Sequence, residues 1–412
     1  MNTTPVLYTI TGQDRPGVTA GLLESLDTTG AEVIDAEQIV IRGELVLCLL
    51  LNMPAESQPD VTRSLQAAAL REGMSIAVDE EPALDDPRRL GRVLVTVMAE
   101  PLCPTALAGI TRRIADLGGN IDRIERLAGY PLVVVRLTVS GADEGDLREA
   151  LAAESASGGL DIAVQRLALT RRGTHLVVMD VDSTLIQDEV IELIAHYAGC
   201  EEEVRAVTEA AMRGELDFTE SLHARVSLLA GVHVSALDEV RDTIRLTPGA
   251  RTLCRTLKRL GYRIAVVSGG FTHVVEPLAA RLGADYALAN ELEVVDGVLT
   301  GRVVGPVVDR RGKAEALRRF AAESNIPLEQ TVAIGDGAND VDMISLAGLG
   351  IAFNAKPALK AAADTSVNVP YLDAVLYVLG ITREEVEAAD AADGVPTRAD
   401  LTESTLITRP GR

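Results

Sequence analysis

Apolar and polar positions alternate from Val6 to Thr11, the period of a half-buried strand. The turn Gly12-Gln-Asp14-Arg-Pro-Gly17 follows, and then apolar residues recur at helical spacing from Val18 to Leu26. Strands are predicted over Glu37–Ile41 and Leu45–Leu51, joined by the turn Arg42-Gly43-Glu44. A helix from Val61 to Glu72 and a strand from Met74 to Val78 complete a βαββαβ order. About 88 residues later the order recurs: strand Leu94–Met98, helix Ala106–Leu117, a hairpin around Gly129-Tyr130-Pro131, helix Asp146–Ala153 and strand Leu160–Leu169. Two copies make a tandem pair rather than a solenoid. The linker between them, Glu80 to Arg89, is rich in charge and proline.

From His175 the pattern changes. Continuous apolar runs at Leu176–Met179, Arg263–Val267, Thr331–Ile334 and Leu349–Ala352 are separated by helical stretches. Buried strands alternating with helices predict a parallel, doubly wound sheet. Between the first two runs, residues 186–247 read as mainly helical, as in Glu189–Tyr197 and Glu202–Met212. The chain is therefore predicted to be α/β, with a Rossmann-like catalytic core and a small helical cap, preceded by two α+β ferredoxin-like domains. The expected boundaries are 1–85, 90–172 and 173–382, with a polar, flexible tail over 383–412.

Composition narrows the partners. The net charge of −22 argues against nucleic acid, whose phosphates demand a basic face. No apolar run reaches the roughly 20 residues of a membrane span, and the N-terminus lacks the pattern of a signal peptide. The four cysteines have no metal-binding spacing and read as thiols in a reducing compartment, so a cytoplasmic location is expected.

The chemistry gathers at strand ends. Asp180 and Asp182 follow the strand Leu176–Met179, at the edge where open α/β sheets bind ligands. A calcium loop is excluded, because Leu185 and Ile191 stand where Gly and Glu are required. Helix capping by Asp182 remains open on this segment alone. A second strand ends in Ser268-Gly269-Gly270, which lets backbone N–H groups approach an oxyanion, although such a pair of glycines is also an ordinary turn. A third ends in Gly335-Asp336-Gly337-Ala-Asn339-Asp340, acids suited to a hard cation. Lys313 lies between them and belongs to no Walker loop, since Ala314 replaces the required Ser or Thr.

Together these four segments resemble the motifs of the haloacid dehalogenase superfamily, in order and in spacing. The resemblance implies Asp180 as nucleophile, Asp182 as general acid and base, and Mg²⁺ held by Asp180, Asp336 and the backbone carbonyl of Asp182. It implies Ser268 and Lys313 on the phosphoryl oxygens and Asp340 as orienter of the metal site. An acid at position 182 indicates phosphate monoester hydrolysis or phosphotransfer, because it can protonate a leaving alkoxide and then activate water.

The cap residues Glu189, Met212, Phe218 and Arg225 have the spacing of the phosphoserine phosphatase family. That resemblance implies O-phospho-L-serine as substrate, in an activity that ends serine synthesis. Glu189 would meet its ammonium, Arg225 its carboxylate, and Met212 and Phe218 its apolar wall, with Gly269 and Asn339 also in contact. Transfer to another small alcohol such as homoserine, and a non-catalytic amino-acid sensor, are the alternatives. The βαββαβ repeats resemble ACT domains, which imply an amino-acid effector such as L-serine and a homodimer. In the first, Asp14 and Gly17 match the ligand-binding turn. In the second, Glu100-Pro-Leu-Cys-Pro104 departs from it, which leaves completion of a sheet as its expected role.

Overall fold

A computed structural model describes residues 3–82, 91–167, 173, 175–212 and 215–396, the side chains of residues 153, 156–158 and 212 excepted. Most of the linker, the expected strand continuation to Leu169 and the last 16 residues of the tail lie outside the described residues. The chain divides into two compact units, Met1–Pro87 and Arg88–Arg412.

The first unit has β1 (Thr3–Gln13), α1 (Val18–Glu24), β2 (Glu32–Ile41), β3 (Glu44–Pro54), α2 (Gln58–Arg71) and β4 (Ser75–Asp79). Its antiparallel sheet has the order β2-β3-β1-β4. The alternation read from the sequence is realised in β3, where Leu45, Leu47, Leu49, Leu51 and Met53 face the core with Val61 and Leu65 of α2.

The second unit opens with β5 (Val93–Ala99), α3 (Pro104–Asp116), β6 (Asn120–Ala128), β7 (Val133–Ser140), α4 (Glu144–Gly158) and β8 (Asp161–Arg166). The α/β part follows with β9 (Leu176–Met179) and four helices, α5 (Val190–Ala198), α6 (Glu201–Met212), α7 (Phe218–Ser227) and α8 (Ser235–Thr243). Next come α9 (Ala250–Arg259), β10 (Arg263–Phe271), α10 (Thr272–Leu282), β11 (Tyr286–Val295), β12 (Val298–Val304) and α11 (Arg310–Glu323). The chain closes with β13 (Thr331–Gly335), α12 (Val341–Leu346), β14 (Leu349–Phe353), α13 (Pro357–Lys360), β15 (Thr365–Val367), α14 (Val375–Val378) and α15 (Arg383–Ala392).

One sheet of eleven strands runs through this unit in the order β12-β11-β10-β9-β13-β14-β15-β8-β5-β7-β6. Strand β9 pairs in parallel with β10 on one side and β13 on the other, so the direction of winding reverses at β9. That switch point opens a crevice at the strands' carboxyl ends. Two features depart from the expected arrangement. The sheet is mixed: β11 and β12 form an antiparallel hairpin at its edge. And the second repeat is not set apart from the core, because β8 pairs antiparallel with β15 at Thr365 and Ala163. The seam is reinforced where Asn368 donates its backbone N–H and its Nδ2 to Asp161, at 2.7 and 2.6 Å. One apolar cluster runs from Met98, Val134 and Ala163 to Val177, Ile334 and Val367.

The expected tail is also partly ordered. Thr382 and Glu385 form a capping box that starts α15. Asp390 then accepts a fork from Arg255, at 2.9 and 2.7 Å, and a bond from Arg259 at 2.6 Å. Burying Val386 and Asp390 against α9 gives an acidic-looking segment the partners that its composition conceals.

Candidate active site

Strand β9 carries Asp180 to the sheet edge, 3% exposed, with its N–H donating to Ile334 O across the sheet. Beyond it the chain turns through a wide helical loop in which Ser183 adopts φ 57°, the left-handed region that serine seldom occupies. This loop folds Asp182 back beneath the cap. One Asp182 oxygen accepts from Val190 N–H at 2.8 Å and the other from Ser268 Oγ at 2.9 Å. Ser268 Oγ in turn accepts from Gly270 N–H at 2.7 Å, and Ser183 Oγ donates to Glu189 at 2.9 Å.

Lys313 is fully buried and places its Nζ 2.7 Å from both Asp180 and Asp340. The N-cap Asp309, which accepts from Gly312 N–H, starts α11 and so sets the height of Lys313. Asp340 uses its second oxygen to accept from the N–H groups of Asp336 and Gly337, at 3.2 and 3.0 Å. This close approach is why position 335 is glycine: a Cβ there would lie 2.5 Å from Asp340.

A cavity of about 410 Å³ opens over these acids. It brings together Asp180, Asp182, Glu189, Phe218, Arg225, Gly269, Asp336 and Asn339, eight of the predicted residues. Phe218 lies over Gly269, where a Cβ would come within 3.1 Å of its ring. Ser268 and Lys313 are 0% exposed and stand behind the acids rather than on the wall. Met212 ends α6, and its side chain lies outside the described residues.

Burial raises the Asp180 carboxyl well above the usual range, and the Asp340 charge adds to this while Lys313 opposes it. Burial also raises Asp182, against the hydrogen bonds from Val190 and Ser268. Glu189 is pushed up to about 7 by burial and then by the Asp182 charge. Asp336 is pushed to about 6 by burial and by Asp340. Burial lowers Arg225, and the Glu189 charge pulls back. A site crowded with acids in this way suits a group that accepts negative charge.

The residues fit a hard divalent cation. Asp180, Asp336 and Asp340 offer oxygens within 4.8 Å of one another. Both Asp340 oxygens already have donors, whereas Asp180 and Asp336 line the cavity. The Asp182 carboxylate is engaged elsewhere, so only its backbone remains for such an ion. Oxygen donors of this kind suit Mg²⁺ or Ca²⁺ rather than a soft metal.

Sequence reasoning missed Lys356, Glu192 and Asn290. Lys356 and Glu192 line the cavity, and the Lys356 charge draws Asp336 back down. Lys356 follows the end of β14, a strand-end signal of the kind used for the other acids. Asn290 is 1% exposed and braces the glycine loop, donating to Gly269 O and accepting from Val308 N–H, both at 2.8 Å. Nothing in its sequence neighbourhood marks it. In the first unit, Gly17 takes φ 90° at the start of α1, and Asp14 N–H donates to Gly43 O at 2.7 Å.

Comparison with known proteins gives these positions a context. A family model described as haloacid dehalogenase-like hydrolase matches residues 177–345. ACT domain models match residues 4–79 and 93–165. A phosphoserine phosphatase of Streptomyces coelicolor is 58% identical over 93% of this chain and 94% of its own. One from Mycobacterium tuberculosis is 50% identical over 96% and 98%. Among solved structures, a haloacid dehalogenase family hydrolase from Salmonella enterica serovar Typhi is 27% identical, with a TM-score of 0.62 over 70% of this chain and 98% of that one.

Proposed function

The chain belongs to the phosphoserine phosphatases of the haloacid dehalogenase-like hydrolases, and on that premise we propose how its own residues carry the reaction. It hydrolyses O-phospho-L-serine to L-serine and phosphate. Asp180 attacks phosphorus in line and becomes a phosphoaspartate as the bond from phosphorus to the serine oxygen breaks. Asp182 gives the leaving alkoxide its proton. It then takes a proton from water, which attacks the same phosphorus and frees Asp180.

Lys313, at 2.7 Å from Asp180, favours the ionised nucleophile against the burial that opposes it, and stands ready to share the phosphoryl charge with Ser268. Asp180, Asp336 and the Asp182 carbonyl would hold Mg²⁺, which when bound offsets the repulsion between carboxylate and phosphate. Asp340 fixes the loop of Asp336 through its two N–H contacts. Glu189 meets the substrate ammonium and Arg225 its carboxylate, the bidentate partner that guanidinium favours. Phe218 forms the apolar wall, and Asn339 and the Gly269 N–H complete the contacts.

The observation that carries this reading is that one cavity holds the strand-end acids Asp180, Asp182 and Asp336 together with Glu189 and Arg225, an acid and a base for the two charges of a zwitterionic phosphoester. The test is phosphate release from O-phospho-L-serine. Chelation should abolish it and Mg²⁺ restore it, and Asp180→Asn should lower kcat by about 10³-fold or more. Turnover by Asp180→Asn at the parent rate would end the assignment. Formation of phosphohomoserine when homoserine is added would redirect it to phosphotransfer.

Two further points rest on the first unit. We propose that L-serine binds at its Asp14–Gly17 turn and lowers activity, as an amino-acid module fused to an amino-acid-producing enzyme invites. We also propose a homodimer. Its support is edge strand β2, where Val33, Ile34, Ile39 and Ile41 are exposed beside unpaired backbone.

A further inference from the structure

A second cavity, of about 610 Å³, lies along the seam where α4 and β8 meet α13 and β15. Its acids are already satisfied. Asp161 accepts twice from Asn368. Asp364 accepts from Gly350 N–H at 2.8 Å and pairs with Arg148 at 3.2 Å. Its donors are not satisfied. Arg148 spends its outer nitrogens on Asp364 and Glu144, but its Nε is buried without a partner. Lys360 is exposed and makes no ion pair or side-chain hydrogen bond with any described residue, and its charge draws the Asp161 carboxyl down. Leu151, Ile162 and Val164 supply an apolar floor. Spare donors above an aliphatic floor are complementary to an anion with an apolar body.

The position of this cavity gives occupancy a route to the chemistry. Lys356, one turn before Lys360, lines the catalytic cavity, and its N–H donates to Asp336 O at 3.1 Å. Lys360 N–H donates back to Lys356 O at 3.2 Å, and Leu359 between them is fully buried. The two cavities therefore lie at opposite ends of α13, one at its N-cap Lys356 and the other at its last residue, Lys360. We propose that the seam cavity is a binding site for a small aliphatic carboxylate, and that its occupancy shifts α13 and with it the Lys356–Asp336 side of the catalytic cavity. Such coupling requires only that the ligand favour one placement of α13 over another.

The full chain can be titrated calorimetrically with 4-methylpentanoate, with 4-methylpentanamide as the neutral control and sulfate as a bare anion. The carboxylate should bind, and both the amide and the variant Lys360→Ala should weaken binding about tenfold. Ala152→Trp, which fills the cavity from α4, should abolish it, while Lys360→Arg should retain it. In turnover, carboxylate at a concentration just saturating for the parent should change KM for O-phospho-L-serine about fivefold there and by a smaller factor in Lys360→Ala. No binding by the parent chain, or equal binding by Lys360→Ala and Ala152→Trp, overturns the site. Sulfate binding as tightly as the carboxylate overturns the ligand class, and a KM that does not respond overturns the coupling. Calorimetry needs no turnover, so failure of the site and failure of the phosphatase reading give different results.

Discussion

Single residues around the catalytic site act through close contacts. Gly335 is the clearest case, since a methyl group there would collide with Asp340 at 2.5 Å. Displacing Asp340 releases Lys313 and the Asp336 loop together. Gly335→Ala should therefore lower kcat about 100-fold, the usual cost of a misplaced catalytic group, with the protein still folded by circular dichroism. Arg225→Lys keeps the charge but loses the planar fork. It should raise KM for O-phospho-L-serine about tenfold with a smaller change in kcat, because carboxylate binding is common to ground and transition states. A kcat loss larger than the KM change would place Arg225 in the chemical step instead.

Helices are held by their caps and by ion pairs that the sequence distributes widely. Helix α15 is anchored to α9 by the Asp390 carboxylate, 6% exposed between Arg255 and Arg259. Burial alone would raise the Asp390 carboxyl, but the hydrogen bonds from the two arginines outweigh it and hold it below the ordinary carboxylate value. A depressed carboxyl stabilises the fold above its unfolded-state value, and that stability is lost as the pH falls through the folded value. Asp390→Asn should cost about 2 kcal/mol at neutral pH, the scale of a lost charge-assisted hydrogen bond. Urea titrations should show the difference shrinking on acidification. A gap that widened towards low pH would contradict the anchoring role.

The whole chain joins a self-contained first unit to a second in which repeat and core share one sheet. Removing residues 1–87 should leave Mg²⁺-dependent phosphate release intact and remove inhibition by L-serine, and Asp14→Ala should do the same to inhibition alone. Inhibition that survives both changes would be simple product competition. Removing residues 1–172 should behave differently. It strips β8 from β15 and exposes the apolar face that Met98, Val134 and Ala163 cover. An open strand edge beside bare apolar surface favours aggregation, which size-exclusion chromatography would register.

Much of this organisation is local and therefore readable from the chain alone. The periods of two and of 3.6 residues placed β3, β9, β13 and α2 to within a few residues, because side-chain burial follows backbone geometry. Asp180, Asp182, Asp336 and Asp340 were legible because they sit at the ends of apolar runs, where an open sheet exposes them. Asn290 was not legible, because its role comes from reaching a loop 21 residues away. Lys356 and Lys360 belong to no motif, and only the fold puts one at each of two cavities. The β8–β15 seam depends on edge complementarity, and the ordering of α15 on partners 131 and 135 residues distant. Sequence determined the elements and the strand-end acids, through short-range periodicity. Only tertiary packing decided which edges joined, which cavities formed and which charges they shared, because those contacts are set by distance in space.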